Sequence, residues 1–276
     1  MTLRTSLVIL AIISLLTVGG GGFFLAAHLT STARNVANNH TDMTTQMIQK
    51  KVSFSLADKQ LSANVLAGLP QFSDYFEQQD RASIAPINGL LHELCINLKA
   101  SLCYLMDSDG TTVASSNAGR TNSLVGKNYA FRPYFKQAMT GKPAVYLALG
   151  VTTKKRGFYF SSPITGKATP VMGVIVVKYS VEKLEQELSN LAGIYTLIDP
   201  KGIVFASNRK SWLFRSLSEL SSEDAQTIVK SRQFGEEKPT SVGLIETSDG
   251  LLVAPDGATY LFGHRDLSIP AGWRIS

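Results

Sequence analysis

Residues 104–116 read Y-L-M-D-S-D-G-T-T-V-A-S-S, and residues 196–208 read T-L-I-D-P-K-G-I-V-F-A-S-N. Leu105, Asp107, Gly110, Ala114 and Ser115 recur as Leu197, Asp199, Gly202, Ala206 and Ser207 at a constant offset of 92. Each copy is an apolar run, an Asp-x-x-Gly turn and a second apolar run, the pattern of a hairpin. After the first copy the sequence predicts a short helix over 133–140 and strands near 144–149, 158–164 and 171–178. Pro133 suits a first helical position and Gly141 a left-handed stop. After the second copy it predicts a helix over 222–232 and strands near 251–254, 258–264 and from 272 onward. The fold class is therefore α/β (α+β): two tandem modules, each a hairpin, a helix and a three-stranded antiparallel meander, with five strands apiece. A helix over 181–191, with Ser180 as N-cap, links them. The final G-W-R-I-S breaks off inside an expected strand, so the chain is expected to continue past Ser276.

Upstream of the repeat, Leu7 to Leu29 holds no charged residue. As a helix it spans roughly 34 Å, against a hydrocarbon core of about 30 Å. That length favours an uncleaved signal anchor over a secretory peptide, whose apolar region is shorter. Arg4 and the amino terminus then stay cytoplasmic, and everything after Leu29 is extracytoplasmic. The next stretch, to Pro70, is helical in pattern, with Val36, Met43, Met47, Phe54, Leu61 and Val65 spaced 7, 4, 7, 7 and 4. This is close to a 3.5-residue repeat and fits either a stalk paired with a copy of itself or a helix lying on its own domain. A second helix is expected over 82–100. The two cysteines, Cys95 and Cys103, read as buried thiols, with a bridge open to them outside the cytoplasm.

The net charge of +6 is unevenly distributed. Between Asp109 and Glu182 there is no acidic residue, while ten Lys or Arg occur, at 120, 127, 132, 136, 142, 154, 155, 156, 167 and 178. In that compartment a nucleic-acid partner is excluded, which leaves anionic lipid or a small anion. Catalysis has no sequence support: the histidines at 28, 40, 92 and 264 lack ligand spacing, and GxSxG, HExxH and P-loop motifs are absent. Neither a catalytic residue, a metal nor a cofactor is expected.

Binding has more support. Arg132 stands within Y-A-F-R-P-Y-F with no local acid, and a guanidinium stacks on aromatic rings while gripping a carboxylate bidentately. Its plain alternative is a cation–π contact at the surface. Strand alternation puts Lys178 on the face of Val174 and Val176, inward or else snorkelling at the strand end. Tyr159 and Ser161 share one face of their strand and supply hydroxyls. Thr152 or Arg156, in the G-V-T-T-K-K-R-G turn that precedes that strand, are placed to close over a ligand. One bidentate Arg and one Lys on opposing walls suit a small dicarboxylate.

At this point the motifs carry a resemblance. The runs L-V-G-K-N-Y-A-F-R-P-Y-F, Y-L-A-L-G-V-T-T-K-K-R-G-F-Y-F-S-S-P-I, V-I-V-V-K and I-D-P-K-G-I-V-F-A-S-N-R-K-S-W-L-F-R-S-L resemble the periplasmic domain of C4-dicarboxylate-sensing histidine kinases. These are double-Cache sensors, with a long helix and two PAS-like modules between membrane spans. The resemblance implies that Arg132 clamps one carboxylate beside Tyr129 and Tyr134. It implies that Thr152, Tyr159, Ser161 and Lys178 complete the cage, with Asn128 and Arg156 as further candidates. It also implies a bacterial inner-membrane receptor, homodimeric through the stalk, with its kinase beyond residue 276. The same sensor on a diguanylate cyclase or chemoreceptor, or a non-signalling membrane-anchored structural domain, is the alternative. The expected organisation is a cytoplasmic 1–6, a membrane helix 7–29, helices over 30–100, a membrane-distal ligand module 101–180, and a linker with a membrane-proximal module 181–276.

Overall fold

The computed structural model describes residues 3–77, 84–166, 171–248 and 250–276. Both copies of the repeat are hairpins built the same way. In the first, β1 (Leu102–Asp107) pairs antiparallel with β2 (Thr112–Ser115), and in the second β6 (Thr196–Ile198) pairs with β7 (Val204–Ser207). Asp107 Oδ1 accepts from the amides of Asp109 and Thr111, and Asp199 Oδ1 from those of Lys201 and Ile203. The glycine three residues on takes φ of 81° in one copy and 86° in the other, where a Cβ is strained. The aspartate thus closes the turn and the glycine supplies its left-handed residue.

The first module is a five-stranded antiparallel sheet in the order β2-β1-β5-β4-β3, with β3 at Ala144–Leu149, β4 at Arg156–Thr165 and β5 at Val171–Ser180. Helix α4 (Pro133–Met139) starts at the expected proline, and Arg132 is its N-cap residue in extended conformation. The sheet has two buried faces. Cys103, Leu105, Phe160, Ile175 and Val177 pack toward the helical layer, while Tyr104, Met106, Tyr159, Val174 and Val176 face α4 and its flanking loops.

In the second module the expected single five-stranded sheet divides. Strands β11 (Arg265–Asp266), β12 (Arg274–Ile275), β6 and β7 form one sheet, and β8 (Ile245–Glu246), β9 (Leu251–Val253) and β10 (Thr259–Leu261) form another. Unlike the buried β6 and β7, strands β9 and β10 are only three residues long and at most half-buried, so the sheet lacks the long apolar runs that keep the first module continuous. The linker α5 (Glu182–Ser189) and α6 (Ser222–Ser231) form where expected, but the N-cap of α5 is Val181, which offers no capping side chain, and Ser180, expected there, lies one residue outside and accepts from the Glu182 amide.

The expected membrane segment and stalk are one helix, α1 (Leu3–Ala67), followed by α2 (Pro70–Glu77) and α3 (Ala85–Asn97). Residues 82–83, the expected start of the second helix, and Lys167 lie outside the described residues. From Leu7, α1 is long and apolar enough to cross a membrane, and the described side chains of residues 7–29 are all exposed. The stalk half lies on its own domain, but by a different stripe from the one the periodicity picked out. Ile48, Val52, Leu56, Ala63 and Leu66 are buried against the domain, whereas Val36, Met43, Met47, Phe54, Leu61 and Val65, the residues spaced near 3.5, are all exposed. Two apolar stripes run along α1, and the domain covers only one.

Candidate functional site

Of the cations between Asp109 and Glu182, only Arg132 and Lys178 are buried among the described residues, at 3% and 2% exposure. Both belong to the face of the sheet that packs on α4. Lys178 reaches it because β5 alternates Val174, Val176, Lys178 inward. Two glycines make room for its chain: a Cβ on Gly157 would lie 2.3 Å from Lys178 Cε, and one on Gly150 would lie 3.1 Å from its Nζ. Arg132 turns inward because Pro133 opens the helix immediately after it.

No carboxylate pairs with either cation among the described residues. Neutral oxygens stand in. Arg132 Nη2 donates to Leu149 O at 2.9 Å and Nη1 to Arg232 O at 3.3 Å, with the guanidinium over the rings of Phe131 and Tyr146. Lys178 Nζ donates to Thr153 Oγ1 at 3.0 Å and to Lys155 O at 2.9 Å, over the Tyr159 ring. Burial pulls the Lys178 ammonium down to about 8, and the nearby positive charges of Lys155 and Arg132 add to this against Glu182.

Between the two cations lies a cavity of about 20 Å³, bounded by Tyr104, Tyr129, Tyr134, Tyr159 and the turn from Gly150 to Thr153. That is room for about one water. Tyr134 and Tyr159 stack at 5.5 Å with 4° between ring planes, and the Tyr104 and Tyr134 hydroxyls lie 2.9 Å apart. Tyr129 OH is 2.7 Å from Thr152 Oγ1, which fastens the turn over the cavity. Burial raises the pKa of all four tyrosines, so each is a neutral hydroxyl able to donate. No acidic side chain lines the cavity.

Among the residues singled out by sequence, Arg132, Lys178, Tyr129, Tyr134, Tyr159 and Thr152 converge here. Three do not. Ser161 is on the expected face, but its hydroxyl donates to Tyr134 O at 2.9 Å and ties α4 to β4. Asn128 is exposed and bonds Asp109 O and Thr111 Oγ1, closing the loop beside the first hairpin. Arg156 is held bidentately by Glu185 at 2.6 and 2.9 Å and also donates to Phe205 O, so its charge is satisfied by the second module. Sequence reasoning missed Tyr104, Leu124 and Thr153. Alternation along Y-L-M-D was the available signal for Tyr104, since it shares the face of Met106.

The two modules meet along β3. Leu149 N donates to Gln233 O at 2.8 Å, Gln233 Nε2 donates to Leu147 O at 2.9 Å, and Arg132 reaches Arg232 O beside them. Arg232 ends α6 with φ of 52°, an unusual conformation for a non-glycine residue. The outer side of the 150–154 turn faces a cleft of about 520 Å³ shared with residues 213–215 and 232–240.

No family model matches the chain. Proteins named C4-dicarboxylate transport sensor protein DctB are similar to it. That of Pseudomonas aeruginosa is 34% identical over 165 residues, 59% of this chain and 27% of the relative. That of Rhizobium meliloti is 32% identical over 206 residues, 71% of this chain and 33% of the relative. The chain therefore spans roughly a quarter to a third of these relatives. The solved sensor domain of the Vibrio cholerae histidine kinase DctB is 27% identical, with a TM-score of 0.66 covering 99% of this chain and 96% of that one. The ligand-binding domain of the Pseudomonas fluorescens chemoreceptor CtaA, in complex with L-serine, shares the fold alone, at 16% identity and a TM-score of 0.61 over 88% of this chain and 96% of that one. Two modules after a long helix, a walled cavity in the first and these likenesses agree: the chain has the double-Cache fold and is similar to the sensor domain of the histidine kinase DctB.

Proposed function

We propose that this domain senses a small dicarboxylate of the C4 type in its first module and passes the binding event across a membrane. The observation that carries this reading is the cavity wall, with two buried cations, four tyrosine hydroxyls and no acid. An amino acid ligand would bring an ammonium that needs an anionic partner here, whereas a dicarboxylate brings one anionic group for each cation. Arg132 clamps one carboxylate, and Lys178 meets the other. Tyr129, Tyr134, Tyr159 and Thr152 donate between them. A cavity of one water's volume must widen for such a ligand, and the 150–155 turn, closed on itself by backbone bonds, is tied to the cavity wall by side-chain bonds from Tyr129 and Lys178.

Residues 101–180 form the ligand module and 181–276 the membrane-proximal one, with α1 carrying the signal to the bilayer. On this reading the extracytoplasmic side is periplasmic and the output is a histidine kinase, the latter supported by the description of the similar Vibrio cholerae protein as one. The uncovered stripe on α1 supports a homodimer through the stalk, because a 3.5-residue repeat left exposed by its own domain fits a second copy. Sedimentation of residues 30–276 tests this: a dimer that Met47→Glu dissociates supports it, and a monomer for the unsubstituted protein contradicts it.

Transmission runs through β3. A ligand that draws Arg132 away from Leu149 O and Arg232 O alters bonds that join the modules, and it shifts the equilibrium only by its preference for one arrangement. Gln233→Ala should keep dicarboxylate affinity within about threefold, since Gln233 does not line the cavity. It should also abolish the ligand-dependent slowing of amide exchange over 222–234. Unchanged slowing in that variant argues against this route.

A thermal-shift titration tests the binding. Succinate at about 100 times its dissociation constant should stabilise by roughly 2.7 kcal/mol, a rise of about 5–10 °C in Tm. Arg132→Ala should lose that increment whatever its own Tm, and a retained increment refutes the clamp. Repeated from pH 6 to 10, affinity should be flat below about 8, where Lys178 is already protonated, and fall up to tenfold per unit above it. Charged groups facing Lys178 are Lys155, Glu182 and Arg132. A flat profile removes Lys178 from the site.

A further inference from the structure

Lys178, Thr153 and Leu102 line the ligand cavity, and the same three residues line a second space, a cleft of about 630 Å³. These shared side chains form the partition between the two. Its polar part is the Lys178 ammonium, which donates to Thr153 Oγ1 at 3.0 Å and to Lys155 O at 2.9 Å. A rival opening, the cleft of about 520 Å³ outside the 150–154 turn, shares Gly150 and Val151 with the cavity. There the partition is main chain, closed by Gly150 N donating to Lys155 O and Lys154 N donating to Gly150 O. Moving the lysine gives up two hydrogen bonds of one flexible side chain, whereas opening the turn breaks its backbone bonds as well.

The two clefts also differ in charge. Arg120 and Lys155 line the larger one, both are exposed, and neither has an ion-pair partner among the described residues. Arg156 beside them is taken by Glu185, and Glu182 is the one acid among the described residues of that wall. The smaller cleft has two acids, Glu236 and Glu237, in its wall. An anion entering the larger cleft meets free cations at its surface and then the buried Lys178.

We infer that the larger cleft is the port through which a dicarboxylate enters and leaves the cavity, with Lys178 and Thr153 as its gate and Arg120 and Lys155 as steering cations. The inference rests on the dicarboxylate reading of the cavity. Arg120 and Lys155 do not line that cavity, so they act on the rate of entry by raising the concentration of anions outside the gate. Lys178 has two roles, because the ammonium released from Thr153 and Lys155 is the group that meets the second carboxylate. The entering anion thus supplies the partner that offsets the broken bonds. A neutral molecule of the same size gains neither the steering nor this exchange, so the port selects for charge before the cavity selects for shape.

Stopped-flow fluorescence of the cavity tyrosines, with succinate and the full chain in detergent, tests the port. Ser101 and Asn122 are exposed and line the cleft but not the cavity. Ser101→Phe and Asn122→Phe should each slow association and dissociation by the same factor, about threefold or more, and keep the dissociation constant within about twofold. Obstruction of a passage slows both directions together, whereas loss of a binding contact speeds dissociation. Two plugs are used so that misfolding of one, seen as a lost thermal transition, does not decide the result. Arg120→Glu should slow association about tenfold at low ionic strength and flatten its dependence on salt, with dissociation unchanged. Lys238→Glu, in the rival cleft, should leave both rates within about twofold. Folded plug variants with unaltered rates, or Lys238→Glu slowing association as much as Arg120→Glu, overturn the port and leave the binding site standing. Failure of the unsubstituted protein to bind succinate overturns the dicarboxylate reading and the port with it.

Discussion

Two positive charges are buried on one face of the first sheet, and the chain supplies each with neutral oxygens where a carboxylate would ordinarily stand. A buried charge without a counter-charge costs several kcal/mol even after hydrogen bonding. The fold tolerates Lys178 by lowering its proton affinity and surrounding it with the Thr153 hydroxyl, the Lys155 carbonyl and the Tyr159 ring. It tolerates Arg132 by giving it two carbonyls and two aromatic faces. Much else in the module serves this arrangement. Gly150 and Gly157 are open so that the lysine can pass, and the 150–155 turn is folded so that its oxygens point inward.

The same acceptors give the site its mechanical reach. Leu149 O and Arg232 O belong to the edge of the first sheet and to the end of α6, so the donors of Arg132 bridge two modules. Gln233 completes that edge from the second module. Arg156 with Glu185 forms the other crossing, and here a true ion pair is used, reinforced by Lys210 and the Ser207 amide. One crossing has its charge balanced and is fixed. The other is held by neutral oxygens that an anion can replace.

Much of this was legible in sequence because it depends on local chemistry. The Asp-x-x-Gly turns and the proline that opens α4 are short-range signals, and each is realised, whereas alternation left Lys178 either inward or snorkelling and packing turned it inward. The convergence of Arg132, Tyr129, Tyr134, Thr152, Tyr159 and Lys178 was legible from their motif. What sequence could not give was partner choice. Arg156 and Arg132 look alike as cations in an acid-free stretch, yet Arg156 meets Glu185 across a module boundary that no local pattern encodes. Asn128 and Ser161 were polar in the right region, but each is consumed by a backbone carbonyl whose position depends on tertiary packing. The division of the second sheet followed from strands too short to show a clear period.

A crystal structure of residues 30–276 with succinate bound is the most direct measurement. The account predicts one carboxylate on the Arg132 guanidinium, the other on Lys178 Nζ, and the 150–155 turn displaced outward from its present bonds to Tyr129 and Lys178. Succinate in the cleft beside His92 and Arg120, with Arg132 still bonded to Leu149 O and the turn unmoved, would contradict it.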